Sequence, residues 1–203
     1  MTNRQAAIKI IERLRRKGFQ ALLAGGCVRD MLLGRRAKDY DVATEAQPQD
    51  VIRLFRRTLK VGAQFGVVIV LMENQQVEVA TFRTESGYDD GRHPGSVRFA
   101  GAAEDASRRD FTINGMFYDP LEERVVDYVG GQADLDSRII RTIGKPAERF
   151  GEDYLRMLRA VRFSTQLRFA IEPATWAAVC KNAGKITKIS GERIAVELEG
   201  ILA

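Results

Sequence analysis

Residues 22–44 read LLAGGCVRDMLLGRRAKDYDVAT, and this stretch decides the fold of the first part of the chain. Its opening apolar run ends at Gly25-Gly26, and the run from Val28 to Leu33 has the spacing of a helix that stops at Gly34. Charged and apolar side chains then alternate from Asp39 to Ala43, which is typical of a strand. The stretch therefore predicts a strand, a glycine turn, a helix and a second strand.

The second predicted strand carries two carboxylates, those of Asp39 and Asp41. Side chains two residues apart lie on one face of a strand, so both carboxylates could hold the same divalent ion. Mg²⁺ prefers carboxylate oxygen and keeps positions open for substrate phosphates. Taken alone, the pair fits a solvated strand end or turn better, because so short a motif often occurs by chance.

The glycine turn offers a place for a phosphate group. Glycine at position 26 lets an anion approach the backbone N–H groups at the positive end of the helix, and Arg29 follows within the first turn. A guanidinium there can clamp a phosphate, although a tight turn with a surface arginine is the alternative. Glu78 lies in the apolar run from Val77 to Phe82, where it either completes a three-carboxylate metal site or faces solvent.

Two later stretches are rich in arginine. Arg108-Arg109-Asp110 could bind a phosphate chain, or it could form a charged surface turn. In residues 152–163, EDYLRMLRAVRF, a helix would align Asp153, Arg156 and Arg159 in one polar stripe with few acids to pair the arginines. Such a stripe is either a solvated face or a surface that recognises a base edge by hydrogen bonds.

In the rest of the chain, secondary structure is predicted from the periodicity of the apolar residues. It predicts helices over 4–17 and 48–58, a hairpin of 67–71 with 77–82, a mobile loop over 86–96, a small β region at 125–128 and 138–143, and helices over 148–169, 173–183 and 192–202. The glycines become sparse after Pro146. We therefore predict an α+β chain with a β-containing domain over residues 1–145 and an all-helical domain over 146–203.

Length and composition limit the class of protein and the kinds of metal site that the chain can form. A chain of 203 residues with 45% hydrophobic and 29% charged residues is typical of one medium or two small globular domains. Lys and Arg exceed Asp and Glu by five, which permits an anionic partner without the dense basic coat of a protein held on nucleic acid by charge alone. Two cysteines and one histidine exclude a disulfide framework and a structural zinc site, so a metal here would be held by oxygen.

The longest apolar run, residues 67–72, is far too short to cross a bilayer, and residues 1–10 have no signal-peptide core. We therefore expect a cytoplasmic protein without a membrane partner. The oligomeric state stays open.

Four motifs occur in order: LLAGGCVRDMLLGRRAKDYDVAT, VEVATFR, RRDFTING and EDYLRMLRAVRF. Together they resemble the class II tRNA nucleotidyltransferases and bacterial poly(A) polymerases, and the resemblance covers essentially the whole chain. It implies a nucleotidyltransferase head of the polymerase-β type, with a small mixed sheet and flanking helices, followed by a helical neck. It also implies transfer of nucleotides from CTP and ATP to the 3′ end of RNA, with Mg²⁺ as cofactor and tRNA as partner.

The resemblance also assigns residues to roles. It makes Asp39 and Asp41 the metal ligands and places Glu78 as the third acid, with Asp110 as its rival. It places Gly26, Arg29 and Arg109 on the triphosphate. The remaining residues would read the base or support that surface: Asp153, Arg156, Arg159 and Arg162.

Within this family, residues 60–70, KVGAQFGVVIV, are similar to the CCA-adding members, and residues 88–94, YDDGRHP, are similar to the loop of members that finish with A. CCA addition is therefore the leading hypothesis, with poly(A) or A-only addition as the alternative. A non-catalytic RNA-binding module is a remote third. Family members continue beyond the neck, so the sequence predicts a head-and-neck portion that binds nucleotides but handles tRNA poorly.

Overall fold

The computed structural model describes residues 1–60, 62–87 and 95–202, apart from the side chain of Gln64. Its helices are α1 Asn3–Arg15, α2 Gly26–Leu32, α3 Pro48–Leu54, α4 Ala102–Ser107, α5 Gly131–Asp136, α6 Pro146–Glu152, α7 Leu155–Leu167, α8 Pro173–Asn182 and α9 Gly191–Leu202. Its strands are β1 Ala21–Ala24, β2 Asp41–Thr44, β3 Thr58–Leu59, β4 Val67–Met72, β5 Gln75–Thr81, β6 Arg83–Ser86, β7 Ser96–Phe99, β8 Phe117–Asp119, β9 Arg124–Val126, β10 Ile139–Ile140 and β11 Ala170–Ile171. Short 3-10 turns occupy Ala63–Phe65, Thr112–Asn114 and Ala183–Lys188.

Seven strands form one mixed sheet in the order β3-β4-β5-β2-β1-β8-β9. The pair β2–β5 is parallel, and the other neighbours run antiparallel. The strand, glycine turn, helix and strand predicted for residues 22–44 are confirmed, and so is the hairpin of β4 with β5. The structure thus confirms the α+β class with a mixed sheet and flanking helices.

Strand β1 is buried on both faces of the sheet, which explains why its sequence is a continuous apolar run. Leu23 contributes to a large core on one face, whereas Leu22 and Ala24 contribute to a smaller core on the other. Helix α1 covers the large-core face, and its start is fixed by a capping box between Thr2 and Gln5. The sheet is therefore held rigidly at the point where β1 and β2 deliver residues to the site.

The prediction of one helix over 148–169 is wrong, because the chain leaves helical geometry at Asp153. Asp153 is extended, with φ −147° and ψ 108°, and its Oδ1 accepts the backbone N–H of Leu155 at 3.0 Å. That bond satisfies a donor at the start of α7, as a cap does. Two helices, α6 and α7, therefore replace the single one.

The prediction of an all-helical second part also needs a correction. Helix α7 ends at Leu167, the following Arg168 has a φ of 59° that turns the chain, and strand β11 then pairs in parallel with β10. This pairing joins residues on either side of the predicted boundary at 145/146. The division into two domains at that point stays a prediction.

Part of the predicted mobile loop, residues 88–94, lies outside the described residues, and with it the YDDGRHP motif. The flanking Ser86 and Ser96 belong to paired strands, β6 and β7, rather than to the loop. Among the described helices, none combines the length and the apolarity needed to cross a bilayer.

Candidate active site

The glycine turn between β1 and α2 is required by the backbone. Gly25 has φ 72°, a conformation that side chains with a Cβ rarely adopt, and its N–H donates to the carbonyl of Met116 at 3.2 Å. A Cβ built on Gly25 would lie only 3.1 Å from Nη1 of Arg109. Glycine therefore lets an arginine of another segment lie directly against the turn.

Arg29 lies on α2 and is fixed in place on both sides of its guanidinium. It donates to Oδ1 of Asn114 at 2.8 Å and to Oδ1 of Asp30 at 2.7 and 2.9 Å. Cys27 on the same helix is buried, and its burial, followed by the charge of Asp41, raises the pKa of the thiol to about 11. The thiol therefore stays protonated near neutral pH and is a poor nucleophile.

The two predicted metal ligands lie at the start of β2. The strand begins at Asp41, so the expectation of a strand from Asp39 is corrected: Asp39 precedes the strand. Glu78 lies on β5, one residue before Val79, which pairs with Val42. Asp41 and Glu78 therefore occupy neighbouring strands on the same face of the sheet.

These three acids line one cavity of about 380 Å³, together with Tyr40, Ile69 and Gln76; we call it the carboxylate cavity. Asp41 keeps a solvent-accessible face, but surrounding protein removes much of its solvation. That burial, followed by the charges of Glu78 and Asp39, raises the pKa of Asp41 to about 6, against a smaller lowering by Arg109. A cation in this cavity would relieve the repulsion among the three carboxylates.

Within residues 1–60, 62–87 and 95–202, no three His, Cys, Asp or Glu side chains lie close enough together to form a metal centre by themselves. Asp39 and Asp41 nevertheless offer the hard oxygen donors that Mg²⁺ takes alongside water and substrate phosphate. The donor set therefore fits a Mg²⁺ ion held by one or two carboxylates, but not a closed cage of protein ligands.

Arg108 and Arg109 are held by an acid that the sequence analysis missed, Asp105 on α4. Oδ1 of Asp105 accepts from Arg108 at 2.7 and 2.9 Å, and Oδ2 accepts from Arg109 at 2.9 and 3.2 Å. Burial raises the pKa of Asp105, but Arg109 and Arg108 lower it by more, so the carboxylate is ionised well below its usual range. One buried carboxylate thus orients both arginines.

Asp110, the alternative candidate for the third acid, makes its contacts outside the carboxylate cavity. Its carboxylate pairs with Arg159 at 2.7 Å and accepts from the backbone N–H of Phe111 and the amide of Asn114. Burial raises the pKa of Asp110, but Arg159 together with the hydrogen bonds from Phe111 and Asn114 lowers it by more, so the pKa lies below its ordinary value. The structure therefore brings Glu78, and not Asp110, into the carboxylate cavity.

Asp153 and Arg156, the two residues predicted to read the base, each form an ion pair with another residue of the chain. Oδ2 of Asp153 accepts from Arg193 of α9 at 2.8 Å, and Arg156 donates to Oε2 of Glu152 at 2.5 Å. Arg156 is only 8% exposed. Sequence reasoning missed both pairs, because Arg193 lies 40 residues from Asp153 and because Glu152 was not counted as a partner of Arg156.

Phe163 on α7 is a further residue that the sequence analysis treated only as the end of a motif. The guanidinium carbons of Arg162, Arg29 and Arg159 lie 4.5, 5.1 and 5.1 Å from the centre of its ring. The ring is 5% exposed and packs edge-to-face on Phe111 with centroids 5.8 Å apart. It therefore links an arginine of α2 to two arginines of α7.

These side chains enclose a second cavity of about 450 Å³, which we call the arginine cavity. Seven of the predicted site residues line it: Gly26, Arg29, Asp41, Arg109, Asp153, Arg156 and Arg159. Asp39 and Glu78 line the carboxylate cavity instead, and Arg162, which is paired with Glu197 at 2.6 Å, lines a third cavity together with Asp39 and Asp41. Asp41 belongs to all three cavities.

Known proteins share this arrangement of the chain. The family described as "Poly A polymerase head domain" matches residues 21–141, and "Probable RNA and SrmB- binding site of polymerase A" matches residues 168–203. CCA-adding enzymes of Bacillus licheniformis and Bacillus subtilis are 46% and 47% identical to this chain over 197 residues, which is 97% of this chain and 49% of each enzyme.

Solved structures agree with these relatives. The Bacillus stearothermophilus CCA-adding enzyme in complex with CTP superposes with a TM-score of 0.90 at 42% identity, covering 100% of this chain and 49% of that one. The Thermotoga maritima CCA-adding enzyme complexed with tRNA gives a TM-score of 0.79 at 25% identity, covering 98% and 46%. The chain spans about half the length of the curated relatives it matches. It belongs to the poly(A) polymerase head-domain family, and its relatives there are CCA-adding enzymes.

Proposed function

We propose that this chain carries the catalytic site of an RNA nucleotidyltransferase that adds C and A, from CTP and ATP, to the 3′ end of tRNA. The observation that carries the proposal is the contact between two cavities of opposite character. Paired carboxylates, Asp39 and Asp41, border an arginine-lined cavity that Asp41 itself helps to line. Relatives named as CCA-adding enzymes, one of them with bound CTP, support the choice of reaction.

In this proposal residues 1–145 form the head and residues 146–203 the neck. The triphosphate lies against the glycine turn at Gly26, where no side chain obstructs it, and is clamped by Arg29 and Arg109. Both guanidinium groups are already oriented, the first by Asn114 and Asp30 and the second by Asp105. Little ordering entropy is then lost when the nucleotide binds.

The base lies toward α7, where Asp153 offers acceptors and Arg156 offers donors. Their present partners are protein groups, Arg193 and Glu152, so a base edge would share or replace those bonds. A base that leaves any of these buried groups unpaired is rejected at a cost of about 1–3 kcal/mol for each group. Arg159 and Arg162 support this surface, held by Asp110 and Glu197.

Asp39 and Asp41 would hold Mg²⁺, with Glu78 contributing charge to the same cavity. When bound, such a cation lowers the pKa of the attacking 3′-hydroxyl and neutralises charge on the triphosphate. The chain's own groups supply the rest, because Arg29 and Arg109 stabilise the pyrophosphate that leaves while the rigid sheet fixes the distance between nucleotide and acceptor.

The test is nucleotide transfer to a tRNA that lacks its terminal CCA. We expect Asp39→Ala/Asp41→Ala to abolish incorporation of labelled CTP and ATP, while Asp136→Ala, which removes an exposed carboxylate on α5, leaves it unchanged. Undiminished incorporation by the double variant would overturn the metal assignment. RNA binding that ignores both Mg²⁺ and nucleotide would favour a non-catalytic RNA-binding module instead.

The match to a poly(A) polymerase head domain makes poly(A) addition the alternative reaction. With ATP as the only nucleotide and a tRNA ending in CC, a CCA-adding enzyme stops after one residue, whereas a poly(A) polymerase extends the product by many. Product length on a sequencing gel distinguishes the two.

A further inference from the structure

A basic strip lines a cavity that adjoins the arginine cavity at Gly26, Arg29 and Asp41. We define the strip as Arg4, Arg35, Arg36 and Lys38, all of which are exposed. Three of them line a cavity of about 470 Å³ that also contains Asp39 and Asp41, which we call the outer cavity.

A neighbouring cavity of about 520 Å³ continues the strip away from the carboxylates. It is lined by Arg4, Arg36 and Lys38 together with Thr2, Asn3 and Tyr40. Arg36 and Lys38 belong to both cavities, so the two form one continuous path. The path begins at the carboxylates and ends at the first turn of α1.

The charges of the strip are not compensated by the protein. Within the described part of the chain, Arg4, Arg36 and Lys38 form no ion pair, and Arg35 donates only to the backbone carbonyl of Gln166 at 3.4 Å. The arginine cavity differs, because Arg109, for example, lies 2.9 Å from a carboxylate oxygen. Several uncompensated cations in a row repel one another, and a ligand with regularly spaced negative charges relieves that repulsion.

The position of the strip indicates which ligand it serves. If the triphosphate fills the arginine cavity, the attacking group must reach Asp41 from another direction, roughly in line with the leaving pyrophosphate. The outer cavity is the described cavity that reaches both Asp39 and Asp41 and is lined by basic side chains. The acids of this cavity, Asp30, Asp39 and Asp41, lie toward its catalytic end, whereas the strip that leads away from them offers cations to an anionic ligand.

We propose that the basic strip binds the backbone phosphates of the last nucleotides at the 3′ end of the acceptor RNA. This proposal rests on the proposed function and adds the residues that lead the acceptor strand to the carboxylates. Exposed lysine and arginine side chains bind phosphates without reading the base. The strip would therefore accept the 3′ end of the RNA however many of the terminal nucleotides have already been added.

The experiment measures binding of a fluorescent six-nucleotide single-stranded RNA with a free 3′-hydroxyl, titrated with the 203-residue chain at several salt concentrations. Each phosphate contact to a single strand contributes about 0.7 to the slope of log K against log salt. We expect Arg36→Ala/Lys38→Ala to reduce that slope by about 1.4. Lys9→Ala/Lys17→Ala removes two exposed cations of α1 and its following turn that line none of these cavities, and it should leave the slope unchanged.

A second RNA locates the contact. Uncharged methylphosphonate linkages at the two 3′-terminal positions should weaken binding to the unaltered chain but have no further effect on Arg36→Ala/Lys38→Ala. The same linkages at the 5′ end should matter less. Equal slopes for the two double variants, no binding of the RNA at all, or equal competition by an acidic peptide would each overturn the proposal.

Failure of this inference is distinguishable from failure of the proposed function. CTP binding in the presence of Mg²⁺, measured on the same Arg36→Ala/Lys38→Ala variant, should be unchanged, because the arginine cavity contains neither residue. If RNA binding does not depend on the strip while CTP still binds, only the strip assignment falls. If the strip binds RNA but the chain binds no nucleotide, the nucleotide-transfer proposal falls instead.

Discussion

Replacing Asp105 by Asn tests how the two site arginines are held. Asp105 is 1% exposed, and its two oxygens accept four hydrogen bonds from Arg108 and Arg109. Asn keeps the shape of the side chain but loses the negative charge and one of the acceptor oxygens. The mostly buried guanidinium of Arg109 would then lose its carboxylate partner, whereas Arg108 would keep Glu85 at 2.9 Å.

The expected cost follows from that environment. Removing one partner of a buried ion pair costs about 3–5 kcal/mol, because the remaining charge is buried without compensation. For a chain of this length, each kcal/mol lowers the melting temperature by about 2–4 °C, so we expect Asp105→Asn to melt about 6–20 °C lower. The affinity for CTP should fall as well, since Arg109 loses the group that points it at the glycine turn.

The assay is thermal unfolding followed by circular dichroism at pH 7, with Glu104→Gln as the matched control. Glu104 is the exposed neighbour on α4, so its neutralisation should change stability by no more than about 0.5 kcal/mol. A melting temperature of Asp105→Asn within about 2 °C of the control would refute the argument that this carboxylate holds the arginines in place.

The stability that Asp105 contributes should decrease at low pH. The folded-state pKa of Asp105 lies below its ordinary value, so the ion cluster stabilises the folded protein above the unfolded-state pKa of about 3.9. That stability is lost as the pH falls through the lowered folded-state pKa. The difference in unfolding free energy between the unaltered chain and Asp105→Asn should therefore be constant from pH 7 to about pH 5 and shrink below about pH 4.

Three further changes test other parts of the molecule. Phe163→Leu removes the ring that three guanidinium groups contact and should weaken CTP binding about 5–30-fold in an equilibrium titration, whereas Phe163→Tyr should retain affinity; equal losses would contradict the role of the ring. Asp153→Ala should reduce discrimination of CTP and ATP against UTP and GTP in a four-nucleotide competition, and unchanged selectivity would show that the base is read elsewhere. Gly131→Ala places a Cβ 2.3 Å from the carbonyl oxygen of Thr112 and should lower stability by about 1–3 kcal/mol in urea unfolding, while Gly184→Ala, with open space around it, should not.

Much of the fold could be predicted from local patterns. The order of strand, turn and helix in residues 22–44 follows from apolar runs and glycines, because a positive φ at Gly25 and a helix stop at Gly34 are local requirements. Local patterns could not show the break at Asp153, since helical spacing continues through it. They also could not show strand β11, which exists only because β10 lies beside it.

The sequence predicted residues of the candidate site but not how they pair. Seven predicted site residues line the arginine cavity, whereas Asp39, Glu78 and Arg162 line neighbouring cavities, and the roles of all ten stay predictions. The motifs gave no sign that Arg193 lies against Asp153, or that Asp110 lies against Arg159 rather than in the carboxylate cavity. Such partners are 40 or more residues apart, so tertiary packing decides them: α9 packs on α7 near the first pair, and the segment with Asp110 packs on α7 in the second.

The two groups of cations near Asp41, the arginines of the arginine cavity and the basic strip, differ in how they are paired, and this difference suits the two ligands that we propose. Arginines that are paired with buried carboxylates have little freedom, so they can reject a wrong nucleotide by geometry. Exposed and unpaired cations keep their rotamer freedom and hold phosphates without fixing them. An acceptor strand must move by one nucleotide after each addition while the nucleotide site stays fixed. A cavity of paired arginines and an exposed basic strip, whose cavities meet at Asp41, would meet both requirements.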